Sequence, residues 1–126
     1  MINQLSSTLK GTIGEWLARL YLCFFGLRHV RSNHRSKSGE IDLIMQHYDT
    51  LVFVEVKSRS DAYIDDAIYS IHAHKQQRII HTAKHFLYRH TQWQYHAIRF
   101  DVIIVNLSRL SITWHSNAFD ENSNHT

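Results

Sequence analysis

A chain of 126 residues, 44% of them hydrophobic, is the size of one domain with a modest core. Charged residues make up 20%, the formal net charge is +3, and no low-complexity tract excludes a packed body. The N-terminus has no apolar core of signal-peptide length, and no run reaches the roughly eighteen apolar residues of a membrane span, so a cytoplasmic protein with no membrane partner is expected.

Ile13, Trp16, Leu17, Leu20, Tyr21 and Phe24 recur at three- and four-residue spacing, which predicts an amphipathic helix over Leu5 to Phe25 with Gly26 as its stop. Cys23, the single cysteine, stands among Leu22, Phe24 and Phe25. It has no intramolecular disulfide partner and is expected to be a buried thiol in a reducing compartment. Leu27 to Asn33 reads as a strand and His34 to Ser38 as a basic loop. Two hairpin strands follow, Glu40–His47 and Leu51–Arg59, then an acidic loop over Ser60 to Asp66. Ile68, Ile71, Lys75, Ile79, Ala83, Phe86 and Leu87 mark a second helix ending near His90. Phe100–Asn106 and Leu110–Trp114 read as the last strands. The domain is thus expected over 1–116, with a polar, disordered tail over 117–126. The order α-β-β-β-α-β-β predicts an α/β protein with a mixed sheet packed by helices.

The middle of the chain carries the chemistry. Gly39-Glu40-Ile41-Asp42-Leu43-Ile44 is followed by Val54-Glu55-Val56-Lys57 across His47-Tyr48-Asp49-Thr50, a hairpin loop. Strand side chains alternate faces, so Glu55 and Lys57 share one face with Leu51, Phe53 and Arg59, while Val52, Val54 and Val56 take the other. With Tyr48 and Asp49 as the turn, the register sets Asp42 opposite Glu55 and Glu40 opposite Lys57. Opposed Cβ atoms lie roughly 4.5–5.5 Å apart, where two carboxylates repel unless a cation lies between them. Hard oxygen ligands suit Mg²⁺ or Mn²⁺. Asp42 and Glu55 are therefore the expected metal ligands, with the Val56 carbonyl as a third, and Lys57 orients or activates a bound water. The competing account is a surface ion-pair ladder, Glu40 with Lys57 and Asp42 near Arg59.

The charge is segregated. No acid occurs between Glu15 and Glu40, where Arg19, Arg28, Arg31, Arg35 and Lys37 lie. None occurs between Asp66 and Asp101, a span with Lys75, Arg78, Lys84, Arg89, Arg99 and six of the eleven histidines. An acidic centre between two basic stretches suits a polyanion held while a metal acts on it. Arg31, Arg35, Lys37 and Arg59 are the expected backbone contacts. Lys75, in the apolar stripe of the second helix, reads equally as a phosphate contact and as a snorkelling stem.

Gly14-Glu15, Gly39 to Ile44, Phe53-Val54-Glu55-Val56-Lys57-Ser58-Arg59 and Arg99-Phe100-Asp101-Val102 together resemble the YraN family, over about Gly11 to Val105. That bacterial family is placed with the PD-(D/E)XK nucleases and is similar to archaeal Holliday junction resolvases. The resemblance implies a restriction-endonuclease-like fold. It also implies that Asp42, Glu55 and Lys57 carry the metal and the water, and that Glu15 on the first helix completes the site. From spacing alone, Glu15 reads as a partner of Arg19. Two features depart from the pattern: Ile41 stands where the superfamily's name has proline, and Asp61 to His74 is unlike the glycine-containing loop expected there. Resolvases act as dimers, so a homodimer is one implied arrangement, although the sequence marks no self-complementary patch.

Other signals carry less. His81 and His85 share a helix face but lack the further ligands of a zinc site. Asp101 reads as a structural buried acid, and Trp93, Tyr95 and Trp114 as core aromatics in preference to base-stacking platforms. The function expected is a divalent-metal-dependent endonuclease acting on structured or branched DNA. The rivals are a nucleic-acid-binding module that cuts nothing and a protein-interaction adaptor that keeps the fold.

Overall fold

The computed structural model describes residues 6–59 and 73–121; the side chains of Ser7 and Arg59 lie outside the described residues. Helix α1 spans Ser7–Phe24, strand β1 Arg28–Ser36, β2 Gly39–His47 and β3 Thr50–Arg59. Helix α2 spans Ala73–Arg89, and β4, Ala97–Asn106, and β5, Ser111–Phe119, complete the sheet. The element order is the predicted one. The acidic loop expected over Ser60 to Asp66, Leu5 and the Ile68–Ile71 part of the second helix lie outside the described residues.

The five strands lie in the order β1-β2-β3-β4-β5. β3 and β4 pair in parallel, with Thr50 opposite Ala97 and Arg59 opposite Asn106, and every other pair is antiparallel. One helix covers each face. Ala18 and Leu22 of α1 pack with Leu43, Met45, Val52, Val54, Ile103 and Val105. Ile79, Ile80, Ala83 and Phe86 of α2 pack with Ile41, Ile44, Leu51, Phe53, Val102 and Ile104. The alternation expected along β3 is borne out, with Phe53 on the α2 side and Val52 and Val54 on the α1 side.

Helix α1 starts at Ser6, whose Oγ accepts the Leu9 N–H at 3.1 Å. It ends in a Schellman motif: Leu27 N donates to Leu22 O and Gly26 N to Cys23 O, both at 3.0 Å, with Gly26 at φ +94°. Its inward face is the predicted one only in part: Ile13, Leu17 and Tyr21 pack against the core, and the other three residues of the stripe do not. Trp16, Leu20 and Phe24 are exposed at 59%, 53% and 84%, and Cys23 is exposed as well, which corrects the buried-thiol expectation. The fully buried centre of the face against the sheet is built on Gly14, Ala18 and Leu22. A Cβ at Gly14 would overlap Ser58 Oγ and sit 3.1 Å from Ser58 Cβ. Small residues therefore let the helix backbone approach β3, while Trp16, Leu20 and Phe24 turn outward.

The β1–β2 turn is tighter than expected. β1 continues through the predicted loop to Ser36, which faces Gly39. His34 is buried there, edge-on to Phe86 at 5.2 Å between ring centroids and 3.3 Å from His85 Nδ1 through its Nε2. At the other edge, β5 runs to Phe119, beyond the point where a tail was expected. Phe119 is buried and stacks on Phe100 with centroids 5.1 Å apart.

Asp101 explains the irregularity between β4 and β5, where the register shifts between Phe100 and Val102. Its carboxylate is fully buried and accepts from Arg99 Nε at 2.9 Å, Arg99 Nη2 at 3.0 Å, Trp114 Nε1 at 2.9 Å and Asn117 N at 2.8 Å. Asn117 reaches it from a left-handed backbone at φ 54°. Asp101 is the structural acid the sequence suggests. Replacing it with alanine strands a guanidinium, an indole N–H and a backbone N–H, so Asp101→Ala is expected to lose about 3 kcal/mol of stability in urea unfolding. A loss below about 1 kcal/mol would show that this network carries little of the β4–β5 joint.

Candidate active site

The predicted hairpin register is observed over its inner half: Leu43 faces Val54, Met45 faces Val52 and His47 faces Thr50. The ladder ends at Leu43–Val54. Ile41 packs on the α2 side and Leu43 on the α1 side although they are two residues apart, so the alternation of β2 slips at Asp42. β3 continues alongside β4, and β2 leaves it. The Asp42 side chain spans the parting: its Oδ2 accepts the Val56 N–H at 2.8 Å, a bond that a ladder partner would otherwise supply.

This departure corrects two expectations. Asp42 and Glu55 are not paired across a ladder, yet both line the same cleft, and each lies within Coulombic range of the other. Glu40 does not meet Lys57. It lies 3.5 Å from Arg35 across the β1–β2 hairpin, an exposed pair worth little. Lys57 stays beside Glu55, with Nζ 3.7 Å from Oε1.

Glu55 is 7% exposed, a buried carboxylate that needs a partner. Its Oε1 receives Lys75 Nζ at 2.8 Å, from the first turn of α2, as well as Lys57. Lys75 thus faces the cluster and does not snorkel away. Burial works against its charge, but the bond to Glu55 and the fields of Glu55 and Asp42 hold its pKa above the usual lysine value.

Asp42 is pushed up to about 8, by burial first and then by the charge of Glu55; the Val56 N–H opposes the shift, and Glu15 and Glu40 add to it. Glu15, on α1, is also raised, by burial and then by Glu40. With its amide nitrogen turned towards them, Asn33 donates to Glu15 Oε2 at 3.3 Å and to Glu40 Oε1 at 3.0 Å. Asn33 sits at φ 53°, a conformation that asparagine adopts more easily than most residues. The sequence offers no signal for this bridging role beyond an asparagine inside a strand.

An open cleft of about 350 Å³ is lined by Gly39, Glu40, Asp42, Glu55, Lys75, Arg78 and Ile79. A neighbouring one of about 400 Å³ shares Asp42, Glu55 and Lys75 with it and adds Lys10, Gly11, Glu15, Val56, Lys57 and Ser58. The four residues expected to carry the metal and the water, Glu15, Asp42, Glu55 and Lys57, therefore line one cleft together with Lys75. Arg78, which sequence reading left unassigned, ties α2 to the β1–β2 turn by donating from Nε to Ser38 O at 2.9 Å. Its three-residue spacing from Lys75 on one helix face was the available signal.

Of the expected backbone contacts, Arg31, Arg35 and Lys37 are exposed on β1 and its turn. The side chain of Arg59 lies outside the described residues. Among the described residues, no three His, Cys, Asp or Glu side chains form a ready metal cage. A buried and a half-buried hard-oxygen carboxylate are nonetheless the kind of set that Mg²⁺ or Mn²⁺ takes while keeping several waters. Glu55, Glu15 and Glu40 surround Asp42 with like charge, a repulsion that such a cation relieves, so the donor set fits one.

A five-stranded mixed sheet with one helix on each face, opening beside its central parallel pair, is a restriction-endonuclease-like fold. The chain matches the profile of "Uncharacterised protein family UPF0102" over residues 14–105, and it belongs to that family, also called YraN. It is 42% identical over 111 residues to a UPF0102 protein of Legionella pneumophila subsp. pneumophila, covering 88% of this chain and 94% of that one. A UPF0102 protein of Pseudomonas putida is 40% identical over 120 residues, covering 93% and 98% of the two chains. One from Methylobacillus flagellatus is 44% identical over 110 residues, covering 86% and 95%. Among the described residues, no helix is long and apolar enough to cross a membrane.

The Asp42 shift has a consequence for stability. An ordinary value of 3.8 in the unfolded chain against about 8 when folded means that the folded protein keeps a proton the unfolded chain has lost. Stability from this group therefore falls as pH rises from about 4 to about 8. In EDTA, Asp42→Asn, which retains an oxygen for Val56 N–H, is expected to lose less stability over that range and to exceed the wild type at pH 8 by on the order of 1–2 kcal/mol. Parallel pH profiles in urea unfolding would contradict the shift. The raised Glu15 and the lowered His29 and His34 are common to both proteins and leave the difference untouched.

Proposed function

We propose that this protein is a divalent-metal-dependent endonuclease that hydrolyses phosphodiester bonds of DNA, with structured or branched DNA as its substrate. The observation that carries the reading is the meeting of Asp42, Glu55 and Lys57 in one open cleft, Glu55 buried, Asp42 half-buried and the lysine beside Glu55. Asp42 and Glu55, with Glu15 from α1, would hold Mg²⁺ or Mn²⁺. When bound, such an ion polarises a phosphate oxygen and lowers the pKa of a coordinated water.

The protein's own groups do the rest. Lys57, enclosed beside Glu55, places its ammonium where it orients the attacking water and offsets the charge growing on the phosphorus centre. Asn33 steadies Glu15 and Glu40. Arg31, Arg35 and Lys37, exposed on β1 and its turn, and Lys75, in contact with Glu55, would supply the positive charge that a phosphate backbone needs. Arg59 belongs to the same proposed set, and a homodimer would present two such sites to two strands.

The test is Mn²⁺-dependent cleavage of labelled single-stranded, duplex, flap and four-way-junction DNA. Glu55→Gln and Lys57→Ala are each expected to lower cleavage by roughly 10²-fold or more while remaining folded by circular dichroism. Cleavage unchanged in either variant removes that residue from the mechanism. Binding of the same DNAs with a linear fall of log affinity against log salt, and no cut product from the wild type, would leave a binding module in its place.

A further inference from the structure

Two ammonium groups converge on one oxygen of Glu55, and they are not equivalent. Lys75 Nζ is in hydrogen-bond contact at 2.8 Å, while Lys57 Nζ stands off at 3.7 Å. The Lys57 side chain is enclosed, with 14% of its surface exposed, whereas that of Lys75 is 41% exposed. Lys75 also lines both parts of the cleft, and its neighbour there one turn along α2 is Arg78.

We infer that Lys75 is a positioning residue of this site: its ammonium is the resident counter-ion of Glu55 and yields that oxygen to an incoming divalent cation. The inference rests on the proposed function, since it takes Glu55 to be a metal ligand. A cation bound at the roughly 2.0–2.1 Å of Mg²⁺–oxygen contacts would stand on the atom that Lys75 now holds. A divalent cation so close is repelled by an ammonium in direct contact with the same oxygen, so the contacting ammonium must give way. The flexible, half-exposed lysine has solvent to move into; the enclosed one does not. Lys57 therefore keeps its place beside the reacting centre. Lys75 swings towards the wall it shares with Arg78, where its charge serves a phosphate. Metal uptake must break a contact whose Glu55 end is buried, and such contacts are worth more than exposed pairs. Lys75 thereby sets how tightly the site takes its cation and keeps Glu55 neutralised without one.

The test is calorimetric titration of Mn²⁺ into the full chain without nucleic acid. Lys75→Met, which keeps the apolar stem and removes the charge, is expected to bind Mn²⁺ about tenfold more tightly or better, the scale of a close charge pair. Lys75→Gln serves as a second neutral variant should the first fail to fold. Lys75→Arg, which keeps the cation, is expected to match the wild type. Tighter binding in the neutral variants alone supports the role. Unchanged or weaker binding in them overturns it, and if Glu55→Gln abolishes binding in the same series the nuclease site itself stands. Mn²⁺ binding that is absent from the wild type, or indifferent to Glu55→Gln, overturns both.

Discussion

The bond from Val56 N–H to Asp42 Oδ2 is the constraint on which the site depends. A strand that leaves its neighbour normally abandons a row of backbone donors to water or frays. Here β3 cannot fray, because its other edge is held by β4 as far as Arg59–Asn106. One side chain takes the first donor released, and β2 is free to diverge. The gap so made is what admits Glu15 from one helix layer and Lys75 from the other. Gly14 contributes from behind: without a Cβ it lets α1 lie against Ser58, which brings the next residue, Glu15, to the gap.

Two aspartates show how the same residue type serves opposite ends. Asp101 collects four hydrogen bonds, two of them from a guanidinium, and is tied into the β4–β5 irregularity with nothing left to offer a ligand. Asp42 has one backbone donor and three acidic neighbours in Glu15, Glu40 and Glu55, and burial first, then these charges, raise its pKa. A saturated carboxylate is a building element. An undersupplied one, facing a cleft, keeps its lone pairs available for a hard cation. The distinction rests on the count of donors around each group.

Much of this was legible in the chain. The alternation in Val52 to Lys57, together with a two-residue turn at Tyr48–Asp49, was enough to set the register and to put Asp42 near Glu55, because period-two patterning leaves little freedom once a turn is fixed. The end of the ladder was not legible, since no residue type announces that a strand will part from its neighbour. Hydrophobicity misled along α1: Trp16, Leu20 and Phe24 looked inward by size, while close packing chose Gly14 and Ala18. His34 passed for a loop residue because its burial depends on Phe86 and His85, far along the chain. Lys75 stood undecided for the same reason. Its partner is a carboxylate that only the tertiary fold brings within 2.8 Å.

The parallel seam between β3 and β4 sets an order of events in assembly. Thr50 pairs with Ala97, so the whole of α2 must be made and carried across the sheet before the central strand has its second neighbour. Until then the hairpin of β2 and β3 can form locally, but one edge of β3 stays open, and an open apolar strand edge is where chains stick to one another. Closing a loop of that length makes the seam a slow, non-local step. The carboxylates thus acquire their separation late. A nascent or partly folded chain has Asp42 and Glu55 already near in sequence, but not the rigid β3 that holds them apart in the finished cleft.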